Sequence, residues 1–560
     1  MNDGRVASRA SPGCEIALAL VIVLGLLSLF ADKAFTIDDP LFVWLAEHLS
    51  VDPFDFYGYE VNWGAGAAPM YLVTKNPPLA GYFLAAAGRL LGWSEVALHL
   101  AFLLPAGVVV LATYRIAERL CSRPLEATLI ATLSPVFLIS STNLMSDTLM
   151  LAFWCGSVWC WMRGIDAGRR GWLLAGVLLA ALAALSKYYA LSLIPLLLAY
   201  GLLRRRALGW FALLLLIPMA VALGFEWLTQ SMYGTGLISE AARFTLDPTP
   251  SRGGGTAGRV LIGLVFAGAC LIPVVFYAPL LWSMRTLLVG LGSLGLALLL
   301  APYSHEWAGI RFAAGAGGLL ELQLFVFALA GVSLLALVAS DLRGRGDAES
   351  WLLALWVLGT FAFAALVNWT NNGRSNLPMA PAVGILLVRC LDRRSLSGRS
   401  PSLGRRLSAL LPGVAVAVAV TWADYRWANE VRAAAARIEE EIIALGRPTR
   451  FFGHWGIQYY LERAGARSLD FGRDFVEPGD FLVVPSNNYL VPAEIDASAA
   501  VLVEEYVHSD PGWIRTLSPS LGAGFYDSDI GPMPFSFGSG DPDVYRVFRA
   551  EKRMRLRAGD

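Results

Sequence analysis

The sequence predicts a polytopic α-helical membrane protein with a soluble α/β domain at its C-terminal end. Three observations predict it. Apolar residues come in long runs, such as Ile16 to Ala31, Trp172 to Leu185, Leu208 to Trp227 and Trp351 to Val367. Arginines collect in alternate loops between those runs. After Trp422 the composition becomes that of an ordinary soluble chain.

The chain is 56% hydrophobic and 16% charged, whereas soluble globular chains run about 45–50% apolar and about 25% charged. Each run approaches the ~20 apolar residues that cross a ~30 Å hydrocarbon core. A soluble core helix keeps a polar face; these runs do not. Hydropathy predicts about thirteen spans, at 14–31, 96–113, 125–141, 148–163, 172–186, 189–203, 208–228, 260–280, 286–301, 319–340, 351–367, 379–391 and 407–422. Arg5 and Arg9 precede the first run, as in a signal peptide. That run exceeds the ~7–15 residues of a signal core and ends without a small-x-small site, so it is read as an uncleaved first span.

Orientation follows from the basic residues of the short loops. With the N-terminus inside, the cytoplasmic side receives Arg5, Arg9, Arg115, Arg119, Arg123, Arg163, Arg169, Arg170, Arg204–Arg206, Arg343, Arg345, Arg393, Arg394, Arg405 and Arg406. The outer side receives fewer and scattered cations: Lys33, Lys75, Arg89, Lys187, Arg243, Arg252, Arg259, Arg311 and Arg374. Acids and bases balance at 44 each, and no basic stripe is present to neutralise nucleic-acid phosphates. The six cysteines lie in or beside apolar runs without metal-ligand spacing, and read as small apolar residues.

The predicted organisation is a transmembrane domain over 1–422, with a large first outer loop at 32–95, and a soluble extracytoplasmic α/β domain over 423–560. Within the loop, Pro40 to Leu49 (PLFVWLAEHL) has apolar residues at helical spacing and suits a helix lying flat in the membrane interface. In the C-terminal part, Arg432 to Leu445 reads as a helix. Phe481 to Pro485, Ala500 to Tyr506 and Val544 to Phe548 read as strands.

Ionisable groups are expensive at a membrane, so their positions are informative. Asp38 and Asp39 follow the first span. Lys75 and Asn76 lie in the first outer loop (TKNPPLAGYF), Asp147 opens the fourth span, Lys187 sits between the fifth and sixth, and Arg374 precedes the twelfth. All fall at one predicted depth. Each has a plain alternative: Lys187 snorkels, Asp147 answers a helix dipole, Asp39-Pro40 only starts a helix, Arg374 is a loop charge among asparagines, and Pro77-Pro78 only breaks the chain before a helix. The joint pattern carries more than any member.

That ordered set resembles the GT-C membrane glycosyltransferases, specifically the protein O-mannosyltransferase and aminoarabinose-transferase superfamily (family 39-like). The resemblance covers residues 14 to about 391. It rests on Asp38-Asp39 with PLFVWLAEHL, on Asn76-Pro77-Pro78-Leu79, on Asp147, on Leu185-Ser186-Lys187, and on Arg374 with Pro378 and Pro381. One departure stands out: members often carry Lys or His just before the Pro-Pro pair, where this chain has Asn76 with Lys75 one place earlier. Which group meets the donor phosphate or sugar is therefore open.

The resemblance implies transfer of a sugar from a polyprenyl-phosphate donor to a glycolipid such as lipid A, a polysaccharide or a protein, on the outer face of the inner membrane. Asp38 and Asp39 are then the catalytic candidates, and Lys75, Asn76, Asp147, Lys187 and Arg374 the substrate-binding ones. Cations stabilise the departing phosphate, and a carboxylate takes the acceptor proton. Neither a cofactor nor a metal is expected. Two alternatives are a multi-pass transporter of a sugar or lipid-linked sugar, which would place binding groups near the midplane, and an envelope polysaccharide polymerase or ligase. The segment HWGIQYY (454–460) reads either as a sugar-stacking surface or as an amphipathic core helix.

Overall fold

The computed structural model describes residues 11–246, 255–300, 306–307, 310–311, 318–396, 401–488, 493–494, 498–508, 512–555 and 557–558. Each predicted apolar run is occupied by helix. Among the described residues, five helices are long and apolar enough to cross a membrane: Glu95–Leu120, Phe211–Tyr233, Gly318–Gly344, Ala348–Val367 and Leu403–Leu445. Two further runs are broken helices. Pro124–Thr132 and Pro135–Ser141 meet at 64°, and Gly255–Cys270 and Pro273–Leu281 at 88°. In both, proline opens the second half. It supplies no N–H to the preceding turn; Ser134 before Pro135 is extended, whereas Ile272 before Pro273 keeps helical angles.

Pro12–Ser28, Arg170–Ser186 and Met284–Leu300 are shorter apolar helices, and Leu79–Leu91 is a fourth, within the stretch 32–95. No residue of Met284–Leu300 is buried, which fits a helix facing lipid. Small residues let other helices touch backbone to backbone. A Cβ at Gly268 would lie 2.0 Å from the Phe327 carbonyl oxygen, and one at Gly331 would lie 2.2 Å from that of Leu264. This is the close approach that small residues permit between membrane helices.

The predicted interfacial segment forms the helix Asp39–Val51. Its apolar face meets protein rather than lipid. Leu41, Phe42, Val43, Leu45, Ala46 and Leu49 are all buried. The helix packs against Leu79–Leu91, where Gly81 leaves room for Leu45 and Leu49, and against Trp455–Arg463.

Leu403–Glu441 runs without a break across residue 422. The helix expected at Arg432 to Leu445 is the last part of this element, followed by a 3₁₀ turn at Ile443–Leu445. Beyond it lies a five-stranded mixed sheet in the order Arg467–Ser468, Thr449–Phe451, Phe481–Pro485, Asp543–Ala550, Ala500–His508. The first two pairings are parallel and the last two antiparallel. The three strands expected from sequence are neighbours in it. One contiguous buried apolar cluster joins the bundle to this region, from Ala19 in the first helix to Val547 in the sheet.

Two sets of ion pairs in the helical part stand apart from each other. One set joins Arg204 to Asp166 (2.8 Å) and Glu349 (3.3 Å), Arg389 to Asp341 (3.2 Å), and Arg406 to Glu126 (2.7 Å). Another joins Lys33 to Asp424, Lys187 to Asp147 and Arg374 to Asp38. No ion pair among the described residues links the two sets.

The glycine contacts yield a prediction. Gly268→Ala and Gly331→Ala should each lower stability by about 1–3 kcal/mol through overpacking, read as a lower thermal midpoint in detergent. Gly295→Ala, where nothing lies within 4 Å, should leave the midpoint in place. Equal midpoints for all three would rule out this helix contact.

Candidate active site

A cavity of about 1080 Å³ opens at the end of the bundle that holds the second ion-pair set, and Asp38, Lys75, Asn76, Lys187 and Arg374 line it. Each reaches it from a break in regular structure. Asp38 precedes the Asp39–Val51 helix. Lys187 stands between the end of Arg170–Ser186 and a 3₁₀ turn. Arg374 sits in the short helix Gly373–Asn376, where Asn372 caps by accepting the Ser375 N–H at 2.8 Å.

Arg374 joins the set. It donates from Nη2 to Asp38 Oδ2 at 3.0 Å, and its Nη1 lies 3.9 Å from Asp147 Oδ2. Asp147, buried behind the cavity wall, accepts from Lys187 Nζ at 2.5 Å. Asp38, Arg374, Asp147 and Lys187 therefore form one alternating chain of charge. Arg374 also donates to the Met145 sulfur, while its Nε is buried without a partner. Lys187 uses one of its three ammonium protons on Asp147. Donor capacity thus remains for an anion in the cavity.

Lys75 and Asn76 stand further along the wall. Lys75 Nζ meets Glu240 at 3.2 Å and lies 5.2 Å from the Phe244 ring centroid. The Asn76 carbonyl accepts the Tyr57 hydroxyl at 2.6 Å, and its side-chain oxygen faces Ser146 Oγ at 3.5 Å.

Asp39 does not line the cavity. It is fully buried, and its carboxylate accepts the backbone N–H of Thr36 (3.2 Å) and Leu144 (2.8 Å). Neither aspartate caps the helix with its side chain, so the helix-start alternative does not describe their contacts. The asparagine-rich stretch at Arg374 is no exposed loop either: Thr370, Asn371, Asn372, Ser375 and Asn376 are all buried.

In HWGIQYY the core-helix alternative fits the contacts. Tyr459 packs edge-on against Phe35 at 5.1 Å. The Tyr460 hydroxyl accepts the Phe35 N–H and donates to Glu95. Of the four aromatic residues named there, Trp455 lines the cavity.

Sequence reasoning missed Lys33, Asn143, Asp424, Tyr526 and Asp527. Tyr526 and Asp527 line the cavity from the C-terminal region. Lys33 and Asp424 form a fully buried ion pair at 2.5 Å. A lysine just outside a span reads as an ordinary membrane flank, and nothing in GFYDSDIGP marks a site. Among the described residues no group of three or more His, Cys, Asp or Glu is placed to hold a metal ion.

Residues 75–226 match the family model of dolichyl-phosphate-mannose-protein mannosyltransferases. That stretch holds Lys75, Asn76, Asp147 and Lys187. The structure is similar to ArnT from Cupriavidus metallidurans bound to undecaprenyl phosphate, with a TM-score of 0.52 at 14% identity, over 85% of this chain and 94% of that one. The chain has the GT-C fold. A weaker likeness, TM-score 0.47 at 12% identity, is to the apo oligosaccharyltransferase of Archaeoglobus fulgidus, over 81% of this chain and 64% of that one. No curated protein sequence matches the chain.

The buried aspartate makes stability depend on pH in this GT-C chain. Complete burial pushes the Asp39 carboxyl up to about 7, against the pull of Lys33 and the two N–H donors. A carboxyl raised on folding favours the fold while protonated. Its contribution is full below the unfolded value near 4 and is lost as pH rises through about 7. Asp39→Asn should remove a slope of up to ~1.4 kcal/mol per pH unit across that window. Unfolding midpoints from pH 4 to 7 check it, and parallel curves for the two proteins would exclude Asp39 as the source.

Proposed function

We propose that the chain is a glycosyltransferase that moves a sugar from a polyprenyl-phosphate donor to an acceptor on the outer face of the inner membrane. The acceptor classes are a glycolipid such as lipid A, a polysaccharide or a protein. One observation carries the reading: Asp38, Arg374 and Lys187 meet in a single cavity at one end of an apolar bundle, joined through buried Asp147. The ArnT structure, described as bound to undecaprenyl phosphate, supports a lipid-phosphate donor by likeness of fold. A transporter would more often gather such groups near the midplane.

In this reading the phosphate lies against Arg374 and Lys187, which have donors to offer. Asp38 takes the proton of the acceptor hydroxyl as its oxygen attacks the anomeric carbon. The bond from that carbon to the phosphate oxygen breaks, and the lipid phosphate leaves with the electron pair, stabilised by the two cations. Asp147 orients both cations, and Asp39 holds the turn that presents Asp38. An acceptor that is itself a phosphate needs no base, and Asp38 then only positions. Lys75 and Asn76 bind further along the cavity. Residues 1–422 form the membrane part, with the first outer loop at 32–95, and residues 423–560 lie outside the cell membrane.

Asp38→Asn keeps size and hydrogen bonding but removes the base. It should insert and bind donor lipid normally while losing ~10²–10⁴ in transfer rate, measured per mole of inserted protein. Near-normal transfer would remove Asp38 as a base and favour a phosphate acceptor. Topology has its own check. A phosphatase fused after Asp560 should be active and one after Arg206 silent; the reverse would overturn the outward-facing site.

A further inference from the structure

The loop that carries Arg374 is held by the C-terminal region, residue against residue. The Gly373 N–H donates to the Phe525 carbonyl at 2.7 Å, and the Ser528 N–H donates to that of Asn371 at 2.9 Å. Thr370 Oγ1 donates to Asp527 at 2.5 Å. A Cβ at position 373 would meet the Phe525 ring at 2.4 Å, so glycine there lets the two segments close. Between these contacts Tyr526 turns its ring to the cavity, with the Arg374 guanidinium carbon 5.7 Å from the ring centroid.

The other end of Tyr526 is anchored in a closed polar network. Its hydroxyl donates to the Asp424 carboxylate, with oxygens at 2.9 and 3.1 Å, and accepts from Asn143 Nδ2 at 3.0 Å. Asp424 also accepts from Thr516 at 3.0 Å and pairs with Lys33, which in turn donates to Asn143. Lys33, Asn143, Asp424 and Thr516 are all fully or almost fully buried. They come from the loop after the first helix, the connector before Asp147, the Leu403–Glu441 helix and the C-terminal region. A buried ion pair is weak as a source of stability, because desolvating two charges offsets their attraction. It does hold a direction, since every member has its partners in one arrangement only.

We propose that Tyr526 is a positioning residue for Arg374, and that the Lys33–Asp424 pair is the anchor that fixes it. The C-terminal region thereby sets the donor-phosphate site. This rests on the reading above, in which Arg374 meets the lipid phosphate. The flat ring face confines the guanidinium on one side, while Asp38 and Asp147 fix its two ends.

The test uses the full chain in lipid nanodiscs and undecaprenyl phosphate as the probe. Tyr526→Leu should weaken binding about tenfold, within what a desolvated cation–π contact supplies. Tyr526→Phe, which keeps the ring, should stay within about threefold. In an Arg374→Lys background the Tyr526→Leu change should cost less than about twofold, because the partner it positions is gone. Unchanged affinity for Tyr526→Leu overturns the proposal, as does an equal loss in both backgrounds, which is what a merely structural role gives. If Tyr526→Leu does not accumulate, Lys33→Met/Asp424→Leu releases the anchor without leaving an orphan charge. That pair should fold and lose about threefold in affinity, and unchanged affinity again overturns the proposal. Failure of the wild-type chain to bind the probe, or equal binding by Arg374→Lys, would instead overturn the donor-site reading and this inference with it.

Discussion

Arg374 is held between two carboxylates, Asp38 and Asp147, and much of the surrounding architecture exists to make that possible. A guanidinium at the rim of an apolar bundle must be paired and hydrogen-bonded to be tolerated. Its partners start from positions 38 and 147 in the chain, so three separate connections must converge. Irregular backbone is admissible at membrane depth only where protein or a cavity covers it. The breaks obey that rule. The turn at Asp38, the connector at Thr142–Met145, the 3₁₀ turn after Lys187 and the asparagine-rich stretch at Arg374 all lie at or beside the same cavity.

The apolar runs were legible because length and hydropathy are properties of a single segment. Their helices appear where the runs are, and two of them bend sharply just before prolines 135 and 273, which supply no N–H to the preceding turn. The order of polar residues was legible for a related reason: a charge at a span end has few places to go. What could not be read is anything set by the return of a distant segment. Tyr526 and Asp527 lie in a Gly- and Pro-rich stretch without periodicity. They reach the cavity because Phe525 and Ser528 hydrogen-bond residues 373 and 371. Lys33 was readable as a cation outside the first span but not as the partner of Asp424, 391 positions away. The amphipathic pattern of Asp39–Val51 identified the helix but not what covers it. An apolar face reads the same whether lipid or the Leu79–Leu91 helix lies against it.

The C-terminal region is continuous with the cavity-bearing end of the bundle rather than appended to it. The Leu403–Glu441 helix carries Asp424 halfway along its length and then runs on to meet the sheet, so no linker separates the two parts. The stretch 32–95 docks on the same region. Its hairpin, Glu60–Asn62 with Ala67–Pro69, accepts the Phe471 N–H through Ala65, and Asn62 bonds the Leu469 carbonyl. A Cβ at Gly456 would lie 2.4 Å from the Phe35 carbonyl oxygen, so the Trp455–Arg463 helix sits directly on the segment leading to Asp38. The cavity is therefore walled by portions of chain that are remote in sequence, from 37–77, 187–192, 238–246, 359–375, 455 and 526–530.

The consecutive aspartates show how local geometry divides two identical side chains between roles. Asp38 points to the cavity and Asp39 away from it, into a fully buried site. The separation needs a sharp turn, and it is made at Ile37, whose φ of 50° lies in the left-handed region. A β-branched residue there is a true outlier and costs roughly 1–3 kcal/mol, so it persists only where its surroundings over-determine it. They do so here. Asp39 donates its N–H to the Thr36 carbonyl at 2.9 Å and accepts the Thr36 N–H with its side chain, closing the turn across Ile37. Phe35, one step earlier, is fixed by Tyr460 and Tyr459. Relaxing Ile37 would require breaking contacts on both sides of it. Asp39 thus acts through geometry: its carboxylate ties the turn to the Leu144 N–H, beside the start of the helix that carries Asp147. The two acids that flank Arg374 are thereby held in register by a third that never reaches the cavity.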